Sequence, residues 1–235
     1  MSSDSSRYKF KHHPETCDPE DYWGQVKRTV NGKPVSPEQI GLIVDSIRDG
    51  LQLGSDDVLL DLCCGNGALT SHLFDGCAGG LGVDYSEFLI EVANRRFSRN
   101  PSERYLLADA LDYVLNGQNP GEFTKVLCYG AFPYFGPDAA RSMLRGLNRR
   151  FGRVTHLYLG QLPDKSRIGR FFTDRDPAPG EADDPGSLLG LWRTPDELAA
   201  LAEDAGWTAR PIHQPDRFFA SHYRFDAVLT RRRAG

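Results

Sequence analysis

The stretch Val58-Leu-Leu-Asp-Leu-Cys-Cys-Gly-Asn-Gly-Ala-Leu-Thr70 decides the fold of this 235-residue chain. It opens with an apolar run typical of a buried strand in a parallel sheet, and the small residues that follow predict a tight turn into a helix. Glycines in such a turn let a ligand approach the backbone closely. A second apolar run ends in Asp84, and an acid about 20 positions after a glycine-rich turn is typical of a nucleotide-ribose site.

Strand-like and helix-like segments alternate along the rest of the chain. Ser36 and Pro37 provide a cap and a first residue for a helix with one apolar face. Parallel strands are predicted at residues 58–62, 81–84, 105–109, 125–129 and 154–159, and two closing strands at 209–213 and 223–231. This order predicts an α/β fold: a Rossmann-like, doubly wound, mostly parallel seven-stranded sheet with an antiparallel closing strand and helices on both faces.

The composition is that of an ordinary globular protein. A formal net charge of −4 shows no excess of the basic residues that bind nucleic acids, so a small-molecule partner is favoured. Five cysteines without a C-x-x-C pair argue against a disulfide framework and fit a reducing cytoplasm. No apolar run reaches the ~18 residues of a membrane helix, and no signal-peptide core is seen, so we expect a soluble cytoplasmic protein. His12, His13 and Cys17 lack further ligands, so no metal is expected; the oligomeric state stays open.

The glycine-rich turn separates two classes of ligand, dinucleotides and S-adenosylmethionine. A G-x-G-x-x-G pattern would place glycines at Cys63, Gly65 and Ala68, whereas G-x-G-x-G would place them at Cys63, Gly65 and Gly67 and fits better. The carboxylate of Asp61 would also repel a pyrophosphate, which prefers hydrogen-bond donors at this place. The same carboxylate attracts the ammonium and sulfonium of S-adenosylmethionine.

At these residues the chain resembles the class I S-adenosylmethionine-dependent methyltransferases, over about residues 36–160. The resemblance implies that the turn holds the methionine part of the cofactor, that Asp84 binds the ribose hydroxyls, and that the acid after the third strand binds the adenine amine. The implied cofactor-binding residues are Asp61, Cys63, Gly65, Asn66, Gly67, Asp84, Tyr85, Asp109, Ala110, Tyr129 and Tyr22. One residue departs from the family pattern, because Cys63 replaces its first glycine.

The predicted domain organisation follows from this resemblance. Residues 1–35 are interpreted as an N-terminal segment and candidate lid, and residues 36–235 as the methyltransferase domain. Residues 161–191 interrupt the alternation with a stretch rich in proline, glycine and acids, so an irregular insertion is predicted there. The aromatic pair Tyr22 and Trp23 either caps a neighbouring helix or closes over a ligand.

Candidate acceptor and catalytic residues must lie at the carboxyl edge of the sheet, where open α/β folds bind ligands. The sixth strand is expected to run parallel to the others, which brings its return loop to that edge. Candidate catalytic residues are His222, as a general base, and Tyr134; the alternatives are a histidine that holds a turn and an aromatic that packs on the cofactor. Candidate substrate-binding residues are Trp23, Tyr134, Gln161, His213 and Arg217.

The function predicted from these residues is S-adenosylmethionine-dependent methyl transfer, by in-line displacement, to oxygen or nitrogen of a small metabolite such as a sugar, an amino acid or a natural-product intermediate. Two alternatives stay open: a catalytically inactive cofactor-binding partner subunit, and an RNA or protein methyltransferase. The glycine count and Asp61 disfavour a nicotinamide-dependent oxidoreductase.

Overall fold

The computed structural model describes residues 10–232, and a seven-stranded sheet forms their centre. The strands are β1 (Val58–Leu62), β2 (Gly79–Asp84), β3 (Glu103–Leu107), β4 (Lys125–Tyr129), β5 (His156–Pro163), β6 (Trp207–Ile212) and β7 (Arg224–Arg231). Their order across the sheet is β3-β2-β1-β4-β5-β7-β6. The order reverses direction beside β1, which is where open α/β sheets form a ligand crevice.

The direction of each strand confirms the predicted fold. The strands β1 to β5 pair in parallel, and β7 pairs antiparallel with both β5 and β6. The strand β6 therefore runs parallel to the first five, as expected, and the loop that follows it lies at their carboxyl edge.

Within residues 10–232, six helices cover the two faces of the sheet. They are α1 (Pro37–Leu51), α2 (Ala68–Phe74), α3 (Glu87–Arg96), α4 (Ala110–Asn116), α5 (Pro137–Arg150) and α6 (Pro195–Asp204). The helices α1, α2 and α3 pack on one face, and α4, α5 and α6 pack on the other. Local sequence explains several starts, because Ser36 caps α1 and Thr194 forms a capping box with Glu197 at α6.

Three predicted boundaries need correction. The strand β3 ends at Leu107 rather than at Asp109, because the Asp109 carboxylate caps α4, a helix that the sequence analysis did not predict. The strand β5 begins later than residue 154 and continues to Pro163, because a bulge lets it keep pairing with β7. The irregular connection therefore starts after residue 163 and not at 161.

That connection is ordered by contacts at both of its ends. Asp164 and Arg193 form a β-bridge, and the Leu191 amide donates to the Pro133 carbonyl at 2.8 Å. Three rings of the connection and that of Tyr223, just before β7, form an aromatic cluster with centroids 4.8–6.3 Å apart: Phe171, Phe172, Trp192 and Tyr223. Because apolar rings in contact resist separation, the connection forms a packed wall beside the carboxyl edge.

The N-terminal segment also has defined structure where it is described. Asp21 caps a short helix, Tyr22–Gln25, and a small hairpin pairs Thr29–Val30 with Lys33–Pro34. This segment passes over the end of β1 before α1 begins.

Candidate functional site

The turn after β1 has a left-handed backbone at three of its five residues. The φ angles are 61° at Cys63, 61° at Gly65 and 80° at Gly67. A Cβ at Gly65 would lie 2.7 Å from Val26 Cγ1, and one at Gly67 would lie 2.8 Å from the Tyr105 ring. Both positions therefore require glycine for the close approach of neighbouring atoms as well as for the backbone angle.

Cys63 adopts the backbone conformation that its family position requires of a glycine. A non-glycine residue in this region is strained by about 1–3 kcal/mol unless its surroundings hold it. Its thiol hydrogen-bonds to Cys128, and this bond together with burial raises the pKa of Cys63 well above its ordinary range. The group is therefore a neutral thiol that fills space, and it is neither a thiolate nucleophile nor half of a disulfide.

Asp61, at the end of β1, is a buried carboxyl group. It is 3% exposed and accepts a hydrogen bond of 2.6 Å from Thr70 Oγ1. Burial raises its pKa from 3.8 to about 7; Thr70 and the Arg28 guanidinium oppose that rise, and Asp84 adds to it. A cationic ligand placed beside Asp61 would favour the ionised carboxylate.

Asp84, at the end of β2, connects that strand to the turn. Its two oxygens accept hydrogen bonds from the Gly65 amide at 3.0 Å and the Ser86 amide at 2.9 Å. Burial also raises its pKa. Because each carboxylate oxygen can accept a second hydrogen bond, Asp84 keeps capacity for a ligand hydroxyl. Tyr85 follows directly, at the start of the loop into α3.

The predicted adenine-binding pair lies at the next strand end. The Asp109 carboxylate accepts hydrogen bonds from the Leu111 and Asp112 amides, and α4 begins at Ala110. These bonds fix the Asp109 side chain beyond the carboxyl end of β3, two strands away from Asp61 on β1.

The N-terminal segment is attached to the turn through Asn66. The Asn66 amide group donates to the Tyr22 carbonyl at 2.8 Å and to Gln25 Oε1 at 2.9 Å. The Tyr22 ring itself faces away and packs against Phe97, with 5.1 Å between ring centroids. Tyr22 therefore contributes its backbone, and not its ring, to the contact with the turn.

A β-bulge shapes the other side of the crevice. Gly160 and Gln161 of β5 together oppose Asp226 of β7, and Gln161 has a left-handed φ of 62°. The Gln161 amide donates to Asp226 Oδ1 at 2.7 Å, and Arg224 Nη1 donates to the Gln161 carbonyl at 2.7 Å. Tyr129 lies beside Gly160 as its register partner on β4. Bulges of this kind re-aim a side chain at the end of a strand.

Arg28 lies between the turn and Tyr129. Its guanidinium carbon is 5.1 Å from the centroid of the Tyr129 ring and 5.5 Å from that of Trp23. Burial lowers its pKa, whereas Tyr129 and Asp61 raise it. A guanidinium held by two rings supplies a fixed positive charge at this point of the crevice.

These groups fit S-adenosylmethionine better than a pyrophosphate. The buried acid Asp61 stands where a dinucleotide would need donors, and it matches an ammonium group; the buried Asp84 matches a ribose diol. Residues 59–151 match the methyltransferase domain family.

The chain carries a class I S-adenosylmethionine-dependent methyltransferase domain.

A relative in Schizosaccharomyces pombe agrees with this identification, and solved structures have the same fold. An uncharacterized methyltransferase of Schizosaccharomyces pombe is 38% identical over 82 residues, which cover 32% of this chain and 28% of the relative. The chain thus spans less than a third of that relative's length. The magnesium protoporphyrin IX methyltransferase of Synechocystis with bound SAM is similar at 16% identity and a TM-score of 0.62, covering 99% of this chain and 98% of that one. A SAM-dependent methyltransferase of Leishmania major gives 12% identity and a TM-score of 0.68, covering 95% and 82%.

The methyltransferase domain brings together only some of the predicted acceptor residues. Trp23 is half-buried beside Arg28, and Gln161 lies beside Tyr129. The Tyr134 hydroxyl donates to the Leu188 carbonyl at 3.0 Å, so it ties the ordered connection to the loop after β4. His222 is exposed on the return loop, with its ring 4.7 Å from that of Tyr223.

The other two predicted acceptor residues, His213 and Arg217, lie elsewhere. They line a groove of about 420 Å³ between α1 and the end of β6, together with residues such as Asp45 and Asp49. No residue of the glycine-rich turn lines that groove.

Three residues of the crevice were not anticipated from the sequence: Arg28, Arg224 and Asp226. Only Asp226 could have been found from the sequence. It is an acid inside the apolar run of a closing strand, and a buried acid is expected to have a hydrogen-bond partner. Arg28 and Arg224 carry no comparable signal, since an arginine is usually exposed to solvent.

Within residues 10–232, no group of three or more histidine, cysteine, aspartate or glutamate residues is arranged to hold a metal ion. No helix in the same part of the chain has the length and apolar character needed to cross a membrane.

Proposed function

We propose that this chain transfers the methyl group of S-adenosylmethionine to an oxygen or nitrogen of a small acceptor, such as a sugar, an amino acid or a natural-product intermediate. The observation that carries the proposal is the left-handed turn at Cys63, Gly65 and Gly67, with the buried acids Asp61 and Asp84 at its two sides. This arrangement combines backbone access with acceptors for an ammonium group and a ribose.

In this proposal, different residues of the crevice bind different parts of the cofactor. Asp61 would hold the amino group of the cofactor, Asp84 its ribose hydroxyls, and Asp109 with the Ala110 amide its adenine. The cofactor supplies an electrophilic methyl on a sulfonium, which an acceptor lone pair displaces in line. Holding the acceptor in line contributes up to about 7–11 kcal/mol in effective-molarity estimates, so alignment by Tyr129 and Gln161 would matter more than any single base.

A small acceptor is proposed because both segments that border the crevice are held in place by contacts. The N-terminal segment is attached to Asn66, and the connection after β5 is held at Pro133 and by its aromatic cluster. In this proposal residues 1–35 act as the lid, residues 36–235 as the catalytic domain, and Trp23 as part of the roof. The five free thiols support a reducing compartment, the cytoplasm.

His222 is proposed as the general base because it lies on the return loop at the ligand edge. Its exposed ring can pass a proton to solvent after taking it from a hydroxyl or an ammonium. The contact with Tyr223 connects it to the aromatic cluster, which would border the acceptor.

Calorimetric titration with S-adenosylhomocysteine and with NAD tests the cofactor part of the proposal. We expect binding of S-adenosylhomocysteine and none of NAD. The opposite result would refute the proposed function.

A metabolite panel with methyl-labelled S-adenosylmethionine then tests turnover. We expect His222→Ala to lower the rate about 10²- to 10⁴-fold at unchanged S-adenosylhomocysteine affinity, because a general base contributes that much. His72→Ala, which alters an exposed histidine on α2, is the matched control. Binding without transfer to any acceptor in the panel would favour the second candidate function, an inactive cofactor-binding subunit. The observation that favours this candidate is that the cofactor-binding residues are better defined than a general base.

A further inference from the structure

Two buried polar atoms at the carboxyl edge of the sheet have no hydrogen-bond partner within residues 10–232. They are Tyr129 Oη and Gln161 Nε2, and each of these residues is only 7% exposed. Buried polar groups are nearly always paired in folded proteins, because an unpaired one loses its hydration without compensation. Two such atoms at a ligand edge therefore indicate a ligand that pairs with them.

The two atoms belong to one site. Tyr129 and Gly160 are register partners, and the Gly130 amide donates to the Gly160 carbonyl at 3.1 Å. Gln161 follows Gly160 directly, and its side chain is near enough to the Tyr129 phenol to lower its pKa against the larger effect of burial.

Four side chains at this site donate hydrogen bonds or carry positive charge: those of Tyr129, Gln161, Arg28 and Arg224. Burial raises the pKa of Tyr129, so the hydroxyl keeps its proton and can donate it. The Gln161 amide nitrogen is a donor, and Arg28 lies 5.1 Å from the Tyr129 ring. Arg224 adds a second guanidinium, whose Nε is also buried without a partner in the described part of the chain.

The nearby acids are already engaged in other contacts. Asp226 accepts from the Gln161 backbone amide, from the Tyr158 hydroxyl and from Gln214 Nε2. Asp61 accepts from Thr70 on the side of the glycine-rich turn. Tyr129 and Gln161 therefore keep donors that an anionic acceptor group can pair with, and Arg28 adds a positive charge beside them.

We propose that Arg28, Tyr129 and Gln161 bind a carboxylate group of the methyl acceptor. The inference rests on the proposed function and specifies its substrate class as carboxylate-bearing small molecules. A carboxylate offers two coplanar oxygens, which can accept from a guanidinium fork and from two neighbouring donors, and its single charge is balanced by Arg28. The methionine end of the cofactor carries the same group, so the experiment separates the two sources.

Calorimetry on the full chain provides the test. S-adenosylhomocysteine and 5′-methylthioadenosine, which lacks the amino-acid part, are titrated into wild type, Tyr129→Phe and Gln161→Met. The complex with S-adenosylhomocysteine is then titrated with aromatic and aliphatic monocarboxylates, each paired with its primary amide. Arg145→Gln, which removes a surface ion pair with Asp204 on the opposite face, is the control.

We expect carboxylates to bind the complex about tenfold or more tightly than their amides, because hydrogen bonds to a charged group are worth at least this factor. Gln161→Met should reduce this preference and leave both nucleoside affinities unchanged, and Tyr129→Phe should reduce the preference as well. Gln161→Glu keeps the size of the side chain but places a negative charge beside the carboxylate, so it should abolish the preference. This variant tests the inference even if Gln161→Met fails to fold. Arg28→Lys should retain more of it than Arg28→Gln.

Two results would overturn the inference. Equal affinity for carboxylates and amides in wild type would show that the site does not select an anion. Weakened S-adenosylhomocysteine binding in the variants, with 5′-methylthioadenosine unaffected, would assign the site to the cofactor's own carboxylate. A failure of wild type to bind S-adenosylhomocysteine at all would instead refute the proposed function and the inference with it.

Discussion

The buried carboxyl of Asp61 should make cofactor binding depend on pH near neutrality. Burial raises the pKa of this group from 3.8 to about 7, since an ionised carboxylate is poorly solvated there. S-adenosylhomocysteine carries an ammonium group, which is attracted to the ionised form of Asp61 and not to the neutral one. Its binding should therefore be accompanied by the loss of a proton from Asp61.

The magnitude follows from the titration of one group with that pKa. About 9% of the protein has an ionised Asp61 at pH 6 and about 91% at pH 8, so the affinity should rise about tenfold between them, or about 1.4 kcal/mol. Above pH 8 the affinity should level off, because almost all of the protein is then ionised.

Calorimetric titration of S-adenosylhomocysteine at pH 6, 7 and 8 measures this dependence. Repeating each titration in buffers of different ionisation enthalpy counts the protons released. Asp61→Asn keeps the shape but cannot ionise, so its affinity should be low and constant. Thr70→Val removes the hydrogen bond of 2.6 Å that favours the carboxylate, so it should shift the rise to higher pH.

The reasoning fails if wild-type affinity is constant across this range. It also fails if Asp61→Asn shows the same tenfold rise, since the titrating group would then be another one, such as Asp84, whose pKa burial also raises.

Three further predictions concern stability, the turn and the lid. The unfolding free energy of wild type should fall relative to Asp61→Asn as pH rises from about 4 to 7, because the folded state retains a proton that the unfolded state has lost; urea denaturation across that range measures the slope. Cys63→Gly should bind S-adenosylhomocysteine at least as well as wild type, since the φ of 61° suits glycine, and a large loss of affinity by calorimetry would show that the turn is built otherwise. Trp23→Ala should weaken cofactor or acceptor binding by removing a ring that holds Arg28, whereas Tyr22→Ala should have a smaller effect because its ring faces Phe97; unchanged steady-state kinetics in both would exclude the lid.

Much of the fold could be predicted because its signals lie close together in the sequence. The apolar run before Cys63 and the glycines after it specify a strand and a turn within a few residues. Caps such as Ser36 act on an amide three residues away, at Gln39. The end of β3 was misplaced because the Asp109 side chain caps the next helix, and the sequence pattern does not show which neighbouring amides a side chain will choose.

The meeting of the candidate cofactor residues at one edge was as predictable as the fold, whereas the positions of the candidate acceptor residues were not. Asp61, Gly65 and Asp84 follow strand ends, so their meeting at one edge follows from the parallel sheet. His213 and Arg217 also follow a strand end, but they line the groove beside α1, because the path of a loop depends on which distant residues hold it.

The sequence by itself determined the parallel sheet, the left-handed turn and the two acids beside it, since each depends on neighbours along the chain. Only the tertiary structure decided that Asp226 holds the bulge at Gln161, 65 residues earlier in the chain, and that Arg28 lies on the Tyr129 ring. Such contacts depend on which strands lie side by side and on how a bulge turns one residue. The donors at Tyr129 and Gln161 exist as a site for that reason, beside the turn that begins at Cys63.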